Sequence, residues 1–156
     1  MNVLFLDIDG VLNRFGDEDG NGATTERFDG LLGLDARLLQ IYKAMLSRID
    51  VTIVLSSSWR FSRELLEYLT QHGVYFHDVT PSMDPEAELS RGLEIQLWLN
   101  EYPNQVERYA ILLDDQEEEM LEEHAPSFFH VSCDTGITQE LAERIVAHFA
   151  RKKVTF

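Results

Sequence analysis

The sequence predicts an α/β protein built on a mainly parallel sheet. Three runs of apolar residues, at positions 3–6, 51–55 and 109–113, each end in polar residues. Such runs are typical of strands that are covered on both faces, as in parallel sheets. Helical patterns between them would pack on the sheet and return the chain to the edge where the strands begin. With 156 residues, 44% of them hydrophobic, the chain is predicted to form one domain spanning 1–156.

The first strand, residues 3–6, ends in a pair of carboxylates. Asp7 and Asp9 follow it, separated by Ile8, and Gly10 then lets the backbone turn sharply. Ligands bind at the carboxyl ends of strands in open α/β sheets. Two carboxylates at one strand end repel each other and have raised pKa values unless a cation lies between them. The pair therefore predicts a divalent cation, Mg²⁺ by preference, which would also recruit a phosphate.

In this arrangement Asp7 would attack phosphorus while Asp9 handles the proton of the leaving group. The pattern Asp-x-Asp also occurs in turns and in Ca²⁺ loops, so a structural role is the alternative. The sequence of residues 7–12, Asp-Ile-Asp-Gly-Val-Leu, resembles the signature of the haloacid dehalogenase (HAD) superfamily of aspartate-nucleophile phosphotransferases. Three later motifs test this resemblance.

Residues 14–33 are predicted to form a loop, because they are rich in Gly, Asp, Glu and Thr and show no sustained period. The segment directly follows the aspartate pair, so it would lie over the site and act as a small lid. A disordered acidic loop without a role is the alternative. From Asp35 onward, apolar residues at helical spacing predict a helix that packs on the sheet.

Three serines follow the second strand, residues 51–55. Ser56 comes directly after the last strand residue, where a hydroxyl and free backbone N–H groups suit a phosphate oxygen. We assign the phosphate contact to Ser56, with Ser57 as the next candidate through its backbone. The position resembles the second motif of the superfamily. A helix predicted over residues 60–71 also needs an N-cap, so capping is the alternative role for one of the serines.

Trp59 and Arg60 complete the segment Ser-Ser-Ser-Trp-Arg. Arg60 would pair with a second phosphate or a carboxylate, and Trp59 would present a flat face to a base. The alternative is a tryptophan packed in the core with Arg60 bonded to an acidic neighbour. The segment resembles a small, capless bacterial and phage subgroup of the superfamily, in which related domains are associated with RNA-repair proteins.

Residues 74–80 predict a third strand near the edge of the sheet, and residues 90–99 predict a well-buried helix. A cation at the start of this helix would reach the strand ends and offset the repulsion between an aspartate and a phosphate. Arg91 is the candidate, and it resembles the third motif of the superfamily, in which Lys is more common. An ordinary surface salt bridge is the alternative.

Asp114 and Asp115 follow the strand at 109–113 and repeat the opening pattern. Adjacent side chains point different ways, so one would bind the metal directly while the other acts through water or fixes the arginine. The pair resembles the fourth motif of the superfamily. Residues 128–131 predict a fifth strand, and Thr138 caps a last helix.

The four motifs occur in order, so the resemblance covers nearly the whole chain. It implies a Rossmann-like three-layer α/β/α sandwich with a mainly parallel five-stranded sheet and no large cap domain. It also implies a Mg²⁺-dependent phosphomonoesterase in which an aspartyl-phosphate forms on Asp7, while Asp9 protonates the leaving group and then activates water. The assigned residues are, for catalysis, Asp7, Asp9, Ser56 and Arg91; for substrate binding, Gly10, Ser57, Trp59 and Arg60; and for the metal, Asp7, Asp9 through its backbone carbonyl, Asp114 and Asp115.

Charge and cysteine content restrict the partners. The net charge of -15 disfavours nonspecific binding to nucleic acid or to an anionic membrane. The apolar runs are too short to span a bilayer, and no signal-peptide pattern is present. Cys133 is the lone cysteine, which excludes an internal disulfide and fits a reducing compartment. We therefore expect a cytoplasmic protein.

An open site predicts a phosphorylated small molecule or a nucleic-acid end as the substrate, with a nucleotide or end phosphate favoured. A basic strip around Arg60 and Arg63 would guide such an end, although extended nucleic-acid binding is not expected. A non-catalytic module that binds a phosphorylated ligand or protein is the alternative. A phosphotransferase or a dehalogenase of the same fold is a further one, and Asp9 argues against the dehalogenase because those members of the superfamily lack this acid.

Overall fold

The structure is a computed structural model that describes residues 1–14, 25–28, 31–82, 91–114 and 120–151. It contains seven strands and four α-helices among these residues, with two short 3-10 helices. In chain order the elements are β1 (Asn2–Leu6), β2 (Thr25–Phe28), β3 (Leu31–Asp35), α1 (Ala36–Leu46), β4 (Thr52–Leu55), the 3-10 helix Ser58–Phe61, α2 (Arg63–Gln71), β5 (Asp78–Val79), α3 (Arg91–Glu101), β6 (Arg108–Asp114), the 3-10 helix Glu122–Ser127, β7 (Phe128–Val131) and α4 (Gln139–Ala150).

A five-stranded sheet in the order β5-β4-β1-β6-β7 forms the middle layer. Every neighbouring pair in it runs parallel, and β1 is the central strand. Residues 3–6 of β1 are fully buried, as their continuous apolar run predicts for a strand covered on both faces. The predicted three-layer α/β/α architecture with a five-stranded parallel sheet is confirmed.

Alternating side chains of β1 divide the core into two parts. Leu4 and Leu6 pack against residues of α1, α2 and α4 on one face of the sheet. Val3 and Phe5 point to the opposite face and pack against Ile95 and Trp98 of α3. Among the described residues, no helix has the length and apolar character needed to cross a membrane.

The segment 14–33, predicted to be a loop, contributes to a hairpin instead. β2 and β3 pair antiparallel in a separate two-stranded sheet, with an irregular register between Thr25 and Arg27. Strands this short and irregular give no periodic signal in the sequence. Residues 15–24 and 29–30 lie outside the described residues, and the lid role of the segment stays a prediction.

The helix predicted over residues 60–71 is divided in two. A 3-10 helix covers Ser58–Phe61, and α2 begins only at Arg63. Each part has its own serine cap: Ser57 accepts a hydrogen bond from the N–H of Trp59, and Ser62 accepts one from the N–H of Leu65. The chain therefore turns twice immediately after β4, which directs the residues of the Ser-Ser-Ser-Trp-Arg segment to different surroundings.

The third strand is much shorter than the predicted 74–80, because only Asp78–Val79 pairs with β4. Before Asp78, the side chain of His77 accepts the β4 hydrogen bond that a backbone carbonyl would accept in a longer strand. The N–H of Ile53 donates to Nδ1 of His77 at 2.9 Å, while the N–H of His77 donates to the carbonyl of Ile53 at 2.8 Å. His77 thus has a structural role, and β5 remains an edge strand of two residues.

Candidate active site

The candidate site lies at the carboxyl ends of the three central strands. The parallel hydrogen-bond pattern continues just beyond β1 and β4: the N–H of Asp7 donates to the carbonyl of Leu112, and that of Ser56 donates to the carbonyl of Leu6. These bonds hold Asp7 and Ser56 at the same edge of the sheet. Their exposed fractions are only 3% and 2%, so both side chains lie below the surface of the site.

Asp7 has the strongest electrostatic perturbation in the site. Burial raises the pKa of its carboxyl to about 7, against the lowering effect of the Arg91 guanidinium. The N–H of Ile8 donates to Asp7 Oδ1 at 2.8 Å and also lowers the pKa. The nearby carboxylates of Asp114 and Asp9 raise it further. Three acids are therefore close enough to repel one another at the end of β1.

Arg91 supplies the positive charge predicted for the start of α3. Its Nη1 lies 3.3 Å from Asp7 Oδ1. The same nitrogen donates a hydrogen bond to the backbone carbonyl of Ser56. The guanidinium thus bridges the candidate nucleophile and the serine segment.

The hydroxyl of Ser56 is buried and has no hydrogen-bond partner among the described residues. An unsatisfied buried hydroxyl is costly and calls for an explanation, such as a ligand that the structure does not contain. Ser57 differs, because its hydroxyl is already used as the cap of the 3-10 helix. The structure thus separates the two roles that the sequence left open among the serines.

Asp9 is held by two donors that were missed in the sequence. Nδ2 of Asn13 donates to Asp9 Oδ1 at 3.1 Å, and the indole Nε1 of Trp59 donates to Asp9 Oδ2 at 3.1 Å. Oδ1 of Asn13 in turn accepts a hydrogen bond from the N–H of Gly10 at 2.8 Å. The preference of Asn for closing turns was a signal for Asn13. Nothing in the sequence pairs Trp59 with a residue fifty positions away.

Gly10 makes room for Asp114. Its φ of 79° lies in the left-handed region that glycine adopts without strain. A Cβ at this position would lie 2.3 Å from Oδ2 of Asp114, far inside van der Waals contact. Glycine therefore allows the carboxylate at the end of β6 to approach the turn after β1. Asp115, the other predicted metal ligand of this motif, lies outside the described residues.

Trp59 packs in the core and Arg60 bonds to an acidic neighbour, which is the alternative role that the sequence left open for each. The Trp59 ring is 3% exposed and packs in the core next to Tyr68. Arg60 Nη2 lies 2.5 Å from Glu94 Oε2 in a buried ion pair, and its Nη1 donates to the carbonyl of Ser57. Direct substrate contact by Trp59 or Arg60 stays a prediction.

An exposed aromatic side chain follows Arg60 in the chain. Phe61 is 63% exposed, and the Arg60 guanidinium lies 4.3 Å from the centroid of its ring. The Arg60 guanidinium also interacts electrostatically with Asp7 and Arg91, which relates Phe61 to the candidate site. Neither Phe61 nor Glu94 was singled out in the sequence, because only their three-dimensional neighbours give them significance.

The donor atoms at the strand ends fit a hard divalent ion. Among the described residues, no three His, Cys, Asp or Glu side chains are grouped to hold a metal on their own. A site here would combine the carboxylates of Asp7 and Asp114 with the backbone carbonyl of Asp9. Oxygen ligands of this kind suit Mg²⁺. Burial, and to a smaller extent the carboxylates of Asp114 and Asp9, raise the Asp7 pKa, and such a cation would favour the ionised carboxylate.

A cavity of about 480 Å³ lies elsewhere, near the first turns of α1 and α4. Arg14, Asp35 and Asp134 are among its lining residues, whereas Asp7, Ser56 and Arg91 are not. Within this cavity Arg14 lies 3.4 Å from Asp35 in an ion pair. The clustered acids, the guanidinium and the unsatisfied hydroxyl at the strand ends therefore identify the better candidate for chemistry.

The family comparison agrees with this geometry. A family model described as the HAD domain in Swiss Army Knife RNA repair proteins matches residues 3–142. The chain belongs to this family. The match confirms the predicted membership of the HAD superfamily. The matched range includes every described residue of the candidate site. No significant match was found among curated proteins or among solved structures. Membership of the HAD superfamily generally implies phosphatase activity.

Proposed function

We propose that this HAD domain is a Mg²⁺-dependent phosphomonoesterase that acts through an aspartyl-phosphate intermediate on Asp7. The observation that carries the proposal is the arrangement of three groups at the ends of β1 and β4. Asp7 follows β1 and lies 3.3 Å from the Arg91 guanidinium, which also donates to the carbonyl of Ser56, and the Ser56 hydroxyl after β4 is unsatisfied. A tetrahedral phosphate there would meet a nucleophile, a positive charge and a hydrogen-bond donor.

In the first step a carboxylate oxygen of Asp7 forms a bond to phosphorus as the bond from phosphorus to the leaving oxygen breaks. The carboxyl of Asp9 gives its proton to the leaving oxygen and becomes a carboxylate. Arg91 and Ser56 hold the non-bridging phosphate oxygens and offset the negative charge that develops on them. The products are the free alcohol and a phosphorylated Asp7.

In the second step the Asp9 carboxylate takes a proton from water as the water oxygen attacks phosphorus. The bond between phosphorus and the Asp7 oxygen breaks, which releases inorganic phosphate and regenerates both acids. Asp7, Asp114 and the carbonyl of Asp9 would hold Mg²⁺ beside these residues. When bound, the ion neutralises the crowded carboxylates and polarises a phosphate oxygen.

A nucleotide or nucleic-acid end phosphate is the proposed substrate class. The family description, which refers to RNA repair proteins, supports this choice. Phe61 supports it independently, because its exposed aromatic ring, which lies beside the Arg60 guanidinium, offers a surface on which a base can stack. The net charge of -15 argues against a long binding track, so recognition of a single end fits better. A cytoplasmic location stays a prediction.

The test is hydrolysis of p-nitrophenyl phosphate, nucleoside monophosphates, and 3′- or 5′-phosphorylated oligonucleotides, each with Mg²⁺ or with EDTA. The wild type is compared with Asp7→Asn, which keeps the size of the side chain but removes the nucleophile. We expect Mg²⁺-dependent release of phosphate that is lost in the variant. Turnover that persists in Asp7→Asn contradicts the proposed intermediate. Binding of a phosphorylated ligand without turnover by the wild type favours the non-catalytic module.

A further inference from the structure

We propose that Trp59 and Asn13 are positioning residues that together hold the Asp9 carboxyl in place for proton transfer. This inference rests on the proposed function, because it assigns Asp9 the role of acid and base. It goes beyond that function by giving a buried tryptophan after β4 and an asparagine after β1 a part in catalysis. Neither residue needs to touch the substrate.

The two contacts engage both oxygens of the same carboxyl group. Oδ1 accepts a hydrogen bond from the Asn13 amide and Oδ2 accepts one from the Trp59 indole, each at 3.1 Å. An ionised carboxylate has about four lone-pair positions, so roughly two remain for the proton that is transferred. Rotation of the carboxyl away from this orientation would break both hydrogen bonds. The pair of donors therefore fixes where the transferable proton lies.

Each donor is itself fixed by contacts with residues other than Asp9. Asn13 is fully buried and accepts a hydrogen bond from the N–H of Gly10. Trp59 is packed near Tyr68, and its backbone N–H donates to the hydroxyl of Ser57. Side chains locked in this way are preorganised, so little reorganisation is needed when the substrate reacts.

The consequence for catalysis depends on the leaving group. A poor leaving group, such as an alkoxide from ribose, must receive a proton as its bond to phosphorus breaks. A good leaving group, such as p-nitrophenolate, departs without one. Loss of either donor should therefore slow phosphorylation of Asp7 by an alkyl phosphate far more than phosphorylation by p-nitrophenyl phosphate. The kcat/KM value reports this difference, because it includes only the steps up to release of the alcohol, whereas hydrolysis of the aspartyl-phosphate is the same step for both substrates. A purely structural role would reduce both kcat/KM values by the same factor.

Trp59→Phe is the main variant, because it removes the indole N–H while keeping an aromatic ring in the core. Trp98→Phe is its matched control. Trp98 is also buried, and its Nε1 donates to Asp78 Oδ2 at 2.9 Å, but it packs on the face of the sheet covered by α3. Both variants lose the same atoms and the same type of hydrogen bond to an aspartate. Only Trp59→Phe loses the contact with Asp9.

We expect Trp59→Phe to lower kcat/KM for an alkyl phosphate roughly tenfold to a hundredfold, since acid catalysis contributes about 10²-fold or more. For p-nitrophenyl phosphate the loss of kcat/KM should stay within about threefold, because its leaving group needs no proton. Asn13→Asp keeps the acceptor for Gly10 but removes the donor to Asp9, and should show the same dependence on the leaving group. Asp9→Asn, which removes the acid itself, shows the largest loss that mispositioning of Asp9 could cause.

A second measurement does not depend on turnover. The chain has two tryptophans, so its indole N–H groups give two NMR signals that Trp59→Phe and Trp98→Phe assign. We expect Asp9→Asn to shift the signal of Trp59 and to leave that of Trp98 in place.

The outcomes separate the two proposals. Equal losses of kcat/KM on both substrates in Trp59→Phe, or an unshifted Trp59 signal in Asp9→Asn, overturn the positioning role even if the enzyme is a phosphatase. Activity that persists in Asp7→Asn, or a wild type inactive on all phosphate esters, overturns the proposed function. In the inactive case the indole signal still decides whether Trp59 holds Asp9.

Discussion

Two adjacent serines after β4 differ in what their hydroxyl groups contact. Ser56 has a buried hydroxyl without a partner among the described residues, whereas Ser57 caps the 3-10 helix. A buried donor without a partner lowers stability, while a cap raises it. Replacement by alanine should therefore lower activity at Ser56 and lower stability at Ser57.

Ser56→Ala should leave the melting temperature unchanged or raise it, because it removes an unsatisfied hydroxyl. It should lower kcat/KM roughly tenfold to a hundredfold, the value of a hydrogen bond to a charged group. Ser57→Ala should instead cost about 1 kcal/mol of unfolding free energy. Thermal denaturation and phosphatase kinetics of both variants are the measurements. A strongly destabilised Ser56→Ala contradicts the assignment of its hydroxyl to a ligand.

Phe61→Ala tests whether the exposed ring stacks on a base. Base stacking on an aromatic side chain is worth about 1–3 kcal/mol, so KM for a phosphorylated oligonucleotide should rise roughly tenfold. KM for an oligonucleotide with an abasic end should not change. Tyr75→Ala is the matched control, because Tyr75 is 67% exposed but precedes β5, at the opposite edge of the sheet. An equal rise in KM for both oligonucleotides excludes stacking.

At the scale of elements, one buried ion pair joins the segment after β4 to the first turn of α3. Arg60 belongs to the 3-10 helix and Glu94 to α3, and both side chains are almost completely buried. Arg91 lies in the same turn of α3 as Glu94. The ion pair therefore helps set the position from which Arg91 reaches Asp7.

Glu94→Leu should destabilise the protein by about 3–5 kcal/mol, because it leaves the Arg60 charge buried without its partner. The double variant Arg60→Met with Glu94→Leu should recover most of that loss, since apolar replacements of a buried pair are often neutral. Chemical denaturation of the two single variants and the double variant gives the coupling energy. Additive losses indicate that the two side chains do not stabilise each other.

At the scale of the whole molecule, α4 is attached to the sheet through His148. Its Nε2 donates to the carbonyl of Tyr109 at 2.8 Å. Burial lowers the pKa of His148, and the charges of Arg108 and Arg151 lower it further. Burial also lowers the pKa of His124, a buried residue of the 3-10 helix Glu122–Ser127. Both histidines are therefore more readily protonated in the unfolded chain.

This difference predicts how stability depends on pH. The unfolded state binds more protons below the ordinary histidine pKa of about 6.5, so both histidines contribute stability that is lost as the pH falls below that value. Asp7 acts in the opposite direction, because its raised pKa favours the folded state at low pH. In His148→Gln and in His124→Gln, the free energy of unfolding should fall less steeply with decreasing pH than in the wild type. Urea denaturation from pH 5 to 8 measures the difference, in which the contribution of Asp7 cancels.

The parts of the site that the sequence predicted are those defined by strand ends. Parallel strands place their carboxyl ends at one edge, so Asp7, Ser56 and Asp114 could be assigned to that edge without a structure. Arg91 followed from the position of its helix. The hairpin within 14–33 was missed because its strands are short and irregular. The partner of Arg60 was described only as an acidic neighbour, and Glu94 fills that role.

The sequence by itself determined the α/β class, the five-stranded parallel sheet and the edge at which the acids gather, because these follow from local apolar patterns and from the direction of the strands. Only the tertiary structure decided how individual side chains are used. It buried Trp59 against Asp9, exposed Phe61, paired Arg60 with Glu94 and left the Ser56 hydroxyl unsatisfied. The physical reason is that hydrogen bonds and ion pairs act over about 3 Å, and which residues come that close depends on the packing of the whole chain.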